Sequence, residues 1–496
     1  MNISNLVTYH ARTRPGAVAV ITNDRTHSFA ALDRLVSHAA ARLSKLGIAP
    51  GDVVGTAFPG NGLPHLVAIL ALARVGAVSV PIRYGTGPGA SREIAARFGV
   101  KAVVAPTAKA AVGGTELITV DRSWMEAPAD ARFDAVSGRG DEPWRLMLTS
   151  GTTGAPKCIA ETHAQTMEHV LFYQTTGLCP AGSRLLCYMT FDIAFGLHTC
   201  LRYLLNGRTA VLAMEKENTG FFDLLNLTGI THLYLSPYVL QSYFKDTPEG
   251  SVRRAEALHL MIGGGTAPEP LLREVQRKLT RHVYAAYGTS EIGMLAFADP
   301  ETLERYPGTL GRAVPWIEAG VVDDSDVPVP PGKPGMLRFR GIGLPQAYYR
   351  DPEATAAKFR GGWYYSGDLG AISADGLIFF ESRTDEVMNV GGAKVPPGNI
   401  ERILTSHPDV LEAAAFAASF ADGWTAVHAA VVARGNFDEP ALLEFCRQHL
   451  GALAPERVHS VSVLPRDSEG KLRRRELTQQ FSRAAGTPDT GTAEEN

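Results

Sequence analysis

Five cysteines in 496 residues is a small and odd complement, and none stands at the paired spacing of a zinc site. Cys158, Cys179, Cys187, Cys200 and Cys446 therefore read as free thiols of a reducing compartment, not as the framework of a secreted scaffold. Long apolar runs are also missing, since the longest candidate, Leu66 to Ile82, is interrupted by Arg74, Gly76 and Pro81. The amino-terminal stretch lacks a basic segment followed by an apolar core. Neither a membrane span nor secretion is expected, and a cytoplasmic location is. Charge of one sign is not in excess: 48 Lys and Arg oppose 51 Asp and Glu for a net −3, and Arg473-Arg474-Arg475 is too short to form a basic stripe. Nucleic acid is thereby not an expected partner.

What is present is the balance of a globular protein with more than one domain, 45% hydrophobic and 20% charged. Leu32, Leu35, Val36, Ala39, Ala40, Leu43 and Leu46 recur at helical spacing, with Ser28 placed to cap and Gly47 to terminate. A strand-like Val53 to Phe58, a helical Pro64 to Val75 and a strand-like Ala77 to Pro81 then make a βαβ unit, which implies a parallel sheet with ligands at its carboxyl ends. Further strand-like runs cover Lys101 to Ala105, Thr209 to Ala213, His232 to Ser236, Leu258 to Ile262 and Val283 to Tyr287. From about Gly308 short alternating runs, such as Met336 to Arg340 and Leu377 to Phe380, predict a β-rich subdomain. After Asp385 the pattern predicts a small α+β domain with helices near 399–406 and 440–449, strands near 411–417 and 426–433, and a last strand at 461–464. The tail, 485–496, has no apolar pattern and is expected to be disordered.

The most informative stretch is Thr149-Ser150-Gly151-Thr152-Thr153-Gly154-Ala155-Pro156-Lys157. It follows the apolar Leu146-Met147-Leu148, so backbone N–H groups and hydroxyls leave a strand positioned for a phosphate. It does not fit the common P-loop, whose lysine follows Gly directly and opens a helix. By composition alone a plain linker is the favoured reading, so other segments have to decide.

Four do. Met261 to Ala267 contains Gly263-Gly264-Gly265-Thr266 after a buried run, where missing side chains let a flat ring approach backbone. Tyr287-Gly288-Thr289-Ser290-Glu291 offers a hydroxyl to a phosphate and a carboxylate to magnesium. Tyr365-Ser366-Gly367-Asp368 sets a carboxylate in a tight turn, where it can accept from ribose hydroxyls. Gly470-Lys471-Leu472-Arg473-Arg474 supplies a lysine near the end. Each has a bland reading as a turn, a helix start or a solvated surface; their joint order does not.

Together with Ser382-Arg383-Thr384-Asp385 and the Val390 to Pro397 segment, this set resembles the adenylate-forming superfamily of acyl- and aryl-CoA ligases, nonribosomal adenylation domains and firefly luciferase. The likeness runs from the helix near Leu32 to Lys471. It implies an α/β fold with a large N-terminal region, 1–384, of two sheet-and-helix subdomains plus a β-barrel, and a mobile α+β C-terminal lid, 385–484. It implies ATP, Mg²⁺ and a small carboxylic acid as ligands, formation of an acyl-adenylate with release of pyrophosphate, and transfer to a thiol. Carried over residue by residue, Thr149, Ser150, Gly151, Thr152, Thr153, Gly154 and Lys157 would hold the β- and γ-phosphates. Gly264, Gly265, Thr266, Tyr287 and Gly288 would line the adenine pocket, and Asp368 and Arg383 would take the ribose. Thr289 would contact the α-phosphate, Glu291 the Mg²⁺, and Lys471 the carboxylate and α-phosphate. Asp385 would be the hinge, with Gly391, Gly392 and Lys394 admitting the thiol. One departure is Pro397-Gly398-Asn399, where the family has Pro-x-Glu.

The acid would be chosen by Phe191, Asp192, Phe195, Gly196, Ser236 and Gly263. Two alignments compete. Phe191-Asp192 resembles the Phe-Asp of amino-acid-activating domains, whose aspartate meets an α-ammonium, while Ala194-Phe195-Gly196-Leu197 resembles the segment of benzoate-type ligases and keeps better spacing to Asn206-Gly207. The second favours an aryl or medium-sized acyl acid; Asp192 as a simple helix cap stays open. No carrier-domain motif follows Lys471, so a free-standing enzyme is expected, with CoA as thiol and a carrier-protein phosphopantetheine as the alternative. A monomer or homodimer is expected.

Overall fold

Ser28 caps its helix as expected: its Oγ accepts the N–H of Ala31 at 3.2 Å at the head of Phe29–Lys45. The helix Leu63–Val75 is apolar on all sides and, apart from the proline in its first turn, buried throughout. Its Arg74 is 1% exposed and donates to Asp33 Oδ1 and Ser37 Oγ of the helix Phe29–Lys45, each at 2.7 Å. These helices belong to one core that also includes Leu185 and Ala210 from one sheet, and Val54 and Val104 from another.

The protein is seen here as a computed structural model. It describes all residues except 24, 86–87, 137–139, 150–156, 213–220, 228, 247–254, 266, 391–392, 420–424, 436, 467–469, 471 and 485–496. Among the described residues one sheet has six strands, in the order Glu116–Thr119, Ala102–Ala105, Val53–Thr56, Val78–Pro81, Pro143–Thr149 and Lys157–Thr162. It is parallel until its last pair, where Pro143–Thr149 and Lys157–Thr162 run antiparallel with Thr149 opposite Lys157. The stretch 150–156 therefore joins the arms of a hairpin, unlike a P-loop, which leads from strand to helix.

A second sheet contains the parallel run Val18–Ile21, Thr209–Val211, Arg184–Leu186, His232–Leu235, His259–Gly263 and Val283–Thr289. Its order continues through Gly293–Ala298, Thr309–Ala313, Leu377–Arg383, Trp363–Ile372, Gly335–Gly341 and Ile317–Val322, all antiparallel. The β-rich half is thus hydrogen-bonded onto the parallel sheet in an open order. The barrel expected from sequence is not closed by any described strand pair.

The C-terminal part is α+β, with a three-stranded sheet of Val410–Ser419, Thr425–Ala433 and Arg457–Ser460, and helices Pro397–Ser406, Glu439–Leu450 and Arg474–Ala484. Its last strand lies at 457–460, not at 461–464. Val461 still donates its N–H to the carbonyl of Val431, but Val463 turns to solvent and Leu464 packs with Leu477 of the final helix, so the run leaves the sheet there. The tail 485–496 lies outside the described residues. Among those described, no helix is long and apolar enough to cross a membrane, and all five cysteines are unpaired and buried.

Candidate active site

Two neighbouring parallel strands, His259–Gly263 and Val283–Thr289, end side by side and deliver the second and third motifs to one edge. Gly264 takes φ +79°, a conformation that favours glycine, and Gly265 lies against Pro237. A β-carbon at Gly288 would collide with the carbonyl oxygen of Gly293, so this position keeps two antiparallel strands close. Thr266 lies outside the described residues.

Beyond that edge the antiparallel strands contribute acids and bases. Asp368 and Arg383 face each other across adjacent strands, with Arg383 Nε 3.3 Å from Asp368 Oδ1. Tyr287 donates its hydroxyl hydrogen to the other oxygen of Asp368. Asp368 is 3% exposed, so this pair of partners is what makes a buried carboxylate tolerable. Tyr364 donates to Thr289 Oγ1 at 3.2 Å, and Tyr348 donates to Glu291 Oε1 at 2.9 Å. Lys157 Nζ sits 5.3 Å from the Tyr348 ring centroid, within cation–π range, which brings the end of the 149–157 motif to Glu291.

Lys358 is the residue that sequence reading missed. Burial lowers its pKa, with Arg383 and Lys157 repelling the charge and Glu291 and Asp368 holding it. Its Nζ donates to the carbonyl of Ser366 at 3.1 Å. Three cations and two carboxylates thus meet at the carboxyl end of the parallel strands. Tyr348, Tyr364 and Lys358 carry no local motif; only the fold of the strand pair Gly335–Gly341 and Trp363–Ile372 brings them in.

The acid-selecting residues divide. Phe195 leads into the helix Ala194–Leu205 and lies beside Gly263, within 3.5 Å of where a β-carbon would stand. Gly196 lets that helix approach the carbonyls of Met189 and Thr190 more closely than a side chain would permit. Phe191 is fully buried and lies next to His65. Asp192 does not cap the helix, whose cap position is Ile193. Burial raises the Asp192 pKa against the attraction of Arg145 and Arg83, so its cationic partners are the protein's own. Ser236 Oγ is taken up locally, accepting the N–H of Val239 at 3.3 Å.

Behind Phe195 lies a buried polar network absent from any motif. Trp144 Nε1 donates to Thr166 Oγ1, which donates to Glu161 Oε1, each at 2.8 Å, and His198 Nε2 meets Glu161 Oε2 at 2.8 Å. Burial alone would raise the Glu161 carboxyl, but the attraction and hydrogen bond of His198 hold it down to about 2.

The C-terminal part touches the same edge. Gly470 packs on Tyr238, two residues after Ser236, and Arg466 lies 5.0 Å from the Tyr238 ring centroid. Arg474 is part-buried against Glu401 and Glu386. Asp385 lies 3.7 Å from Arg383, and Lys394 forms an exposed ion pair with Asp324 at 3.3 Å. Ser150, Gly151, Thr152, Thr153, Gly154, Gly391, Gly392 and Lys471 lie outside the described residues.

Comparison with known proteins agrees with this arrangement. Residues 7–349 match the family described as AMP-binding enzyme, and residues 399–471 match the AMP-binding enzyme C-terminal domain. An indoleacetate–CoA ligase of Aromatoleum aromaticum is 27% identical over 97% of this chain and 99% of its own length. A 2-succinylbenzoate–CoA ligase of Geobacillus kaustophilus is 29% identical over 95% of this chain and 97% of its own. The crystal structure of ATP-bound MatB from Rhodopseudomonas palustris superposes with a TM-score of 0.86 at 25% identity, over 98% of this chain and 100% of that one. With both family regions matched in order across most of its length, the chain belongs to the AMP-binding enzymes.

Proposed function

We propose that the protein is an AMP-forming acid–CoA ligase, with Asp368, Glu291, Thr289, Lys157 and Lys471 in the roles their motifs imply. The observation that carries this reading is that Arg383 pairs with Asp368, Tyr348 joins Lys157 to Glu291, and Lys358 reaches the carbonyl of Ser366, all at the strand ends. A cationic surplus suits a polyphosphate, and the two carboxylates suit a metal and a ribose diol. The nucleotide fits an orphaned donor: Arg383 Nε is buried without a well-aligned hydrogen bond although Asp368 is near. A ribose oxygen would complete it. Mg²⁺, held by Glu291, would neutralise phosphate charge as it builds up.

The chain's own groups then act in two steps. An oxygen of the substrate carboxylate attacks the α-phosphorus, the bond to the β-phosphate breaks, and pyrophosphate leaves. Lys157 and the 149–154 loop would hold the leaving group, while Thr289 and Lys471 attend the phosphorus under attack. In the second step a thiol gives its proton to solvent, its sulfur attacks the acyl carbon, and AMP leaves. Asp385 would pivot the C-terminal part between the two, with Gly391 and Gly392 leaving room for a pantetheine arm. CoA is the thiol used by the two ligases compared above.

The test is pyrophosphate release with ATP and Mg²⁺ over a panel of aryl, acyl and amino acids, with and without CoA, followed by mass detection of the thioester. Acid-dependent release with a CoA-dependent thioester is expected. Release that no acid stimulates would overturn the reading.

A further inference from the structure

Two small cavities adjoin the Glu161 network. One is lined by Met147, Ile159, Glu161, Gln165, His169 and His198 and opens toward Ser290 and Glu291, while the other reaches from the same carboxylate and imidazoles to Arg202. His198 stands one helical turn beyond Phe195. The first cavity thus adjoins the candidate active site at Glu291, and its lining includes the carboxylate and both imidazoles, where an aryl or acyl pocket would ordinarily be lined by apolar groups.

Most of those groups are spent. Glu161 receives Thr166 and His198 on its two oxygens. His169 is different. One ring nitrogen serves the backbone carbonyl of Gly343, beside which Nε2 lies, and this leaves Nδ1 as the bare acceptor of a neutral ring. That Nδ1 is buried and has no hydrogen-bond partner. Burial, with Arg202 nearby, lowers the His169 pKa to about 3, so the ring does not solve its isolation by taking a proton. A buried acceptor left unpaired is costly. The fold makes no use of it, and the space beside it suits a functional group, not a whole acid.

We propose that this cavity is a specificity subsite, and that the acid activated here bears a neutral hydrogen-bond-donating substituent, a hydroxyl or an amino group of arylamine type, which donates to His169 Nδ1. The inference rests on the acid-activating reading above and narrows its substrate class. Charge argues for a neutral donor. Glu161 is already balanced within the cluster by the buried Arg145 and Arg202, so a substituent bringing its own positive charge would meet Arg202 without a free counter-ion. A water molecule can occupy the place in the resting protein, and the substituent would displace it while reproducing its hydrogen bond.

The test compares kcat/KM for pyrophosphate release among matched acids: hydroxy- and aminobenzoates, hydroxyphenylacetates and medium-chain hydroxy acids against their methyl ethers and unsubstituted parents. At least one donor-bearing acid is expected to exceed both of its partners by about tenfold or more, because a buried polar group left unpaired by the wrong substrate penalises that substrate. His169→Phe, which removes the acceptor and keeps a flat ring, is expected to bring the ratio close to one, and His169→Asn, which restores an acceptor oxygen, to recover part of it. Parents and methyl ethers used as well as donor-bearing acids throughout the panel would overturn the subsite while leaving the ligase reading intact. So would a preference that survives in His169→Phe. Release with no acid at all would overturn the ligase reading and the subsite with it. The wild-type comparison remains decisive even if neither variant folds.

Discussion

Asp368 and Arg383 stand opposite one another on adjacent antiparallel strands, and Tyr287 from the end of the parallel sheet closes on the same carboxylate. The arrangement fixes Asp368 in rotamer before any nucleotide arrives. Asp368→Asn keeps the shape and removes the charge, leaving Arg383 with only Asp385 at 3.7 Å. The expected outcome is a KM for ATP raised about tenfold or more, in line with losing a charged hydrogen bond, with a much smaller change in the KM for the acid. Initial rates of pyrophosphate release against each substrate measure it. Equal shifts in both constants would show that Asp368 supports the fold in general and not the nucleotide.

Tyr348 reaches Glu291 from a loop that precedes the helix Pro352–Lys358. If Glu291 holds Mg²⁺, the hydroxyl of Tyr348 orients the ligand, as partners behind a metal ligand usually do. Tyr348→Phe should raise the Mg²⁺ concentration needed for half-maximal rate by about three- to tenfold and leave the fold intact. A magnesium titration at saturating ATP reads this directly, and an unchanged midpoint would separate Glu291 from the metal.

How much of this was legible in the sequence follows from how local each feature is. The cap at Ser28, the buried helix Leu63–Val75 and the strands that end at Gly263 and Thr289 rest on periodicity and neighbouring turn formers, and they appear within a few residues of expectation. Asp368 and Arg383 were legible as motif members but not as a pair, because the hairpin from 369 to 382 lies between them and only strand register makes them opposite. Lys358 and Tyr348 could not be read, since a lone lysine at a helix end or a lone tyrosine in a loop has no pattern. Glu161 and His198, 37 residues apart, meet only because the strand Lys157–Thr162 and the helix Ala194–Leu205 pack together. The run at 461–464 misled for the opposite reason, as short apolar segments face a helix as readily as they join a sheet.

Several histidines are buried in neutral form, and this fixes the direction of the acid response. Burial lowers the pKa of His65, His169 and His232 to about 3 and of His163 to about 4, each from an ordinary value of 6.5. Below pH 6.5 the unfolded chain takes up protons at these rings and the folded chain does not. Stability is therefore full above 6.5 and falls as pH drops toward the folded values, by up to about 1.4 kcal/mol per pH unit for each ring. Carboxylates such as Glu161, held down to about 2, add their own loss only below about 4.5. The melting temperature should thus already decline between pH 6.5 and pH 5. A level profile over that interval would mean that these rings are protonated in the folded protein.

Arg474 and Lys471 lie three positions apart and should separate structure from chemistry. Arg474 is part-buried between Glu401 and Glu386, and burial raises the Glu386 pKa against the pull of this arginine. Arg474→Met would leave two part-buried carboxylates without their cation, at a cost of about 1–3 kcal/mol at neutral pH. Glu386, already raised by burial, would then lose the attraction that holds it down. Its protonated form is tolerated below the unfolded value, and stability is lost as pH rises through the folded value. The gap in melting temperature between variant and wild type should accordingly narrow from pH 7 toward pH 5, and a gap independent of pH would attribute the loss to packing alone. Lys471→Ala should leave the melting curve in place. Its expected effect is on adenylation, suppressed at least about a hundredfold as for loss of a charge-stabilising donor, and far less on thioester formation from a supplied acyl-adenylate. Equal loss of both half-reactions would remove Lys471 from the first step.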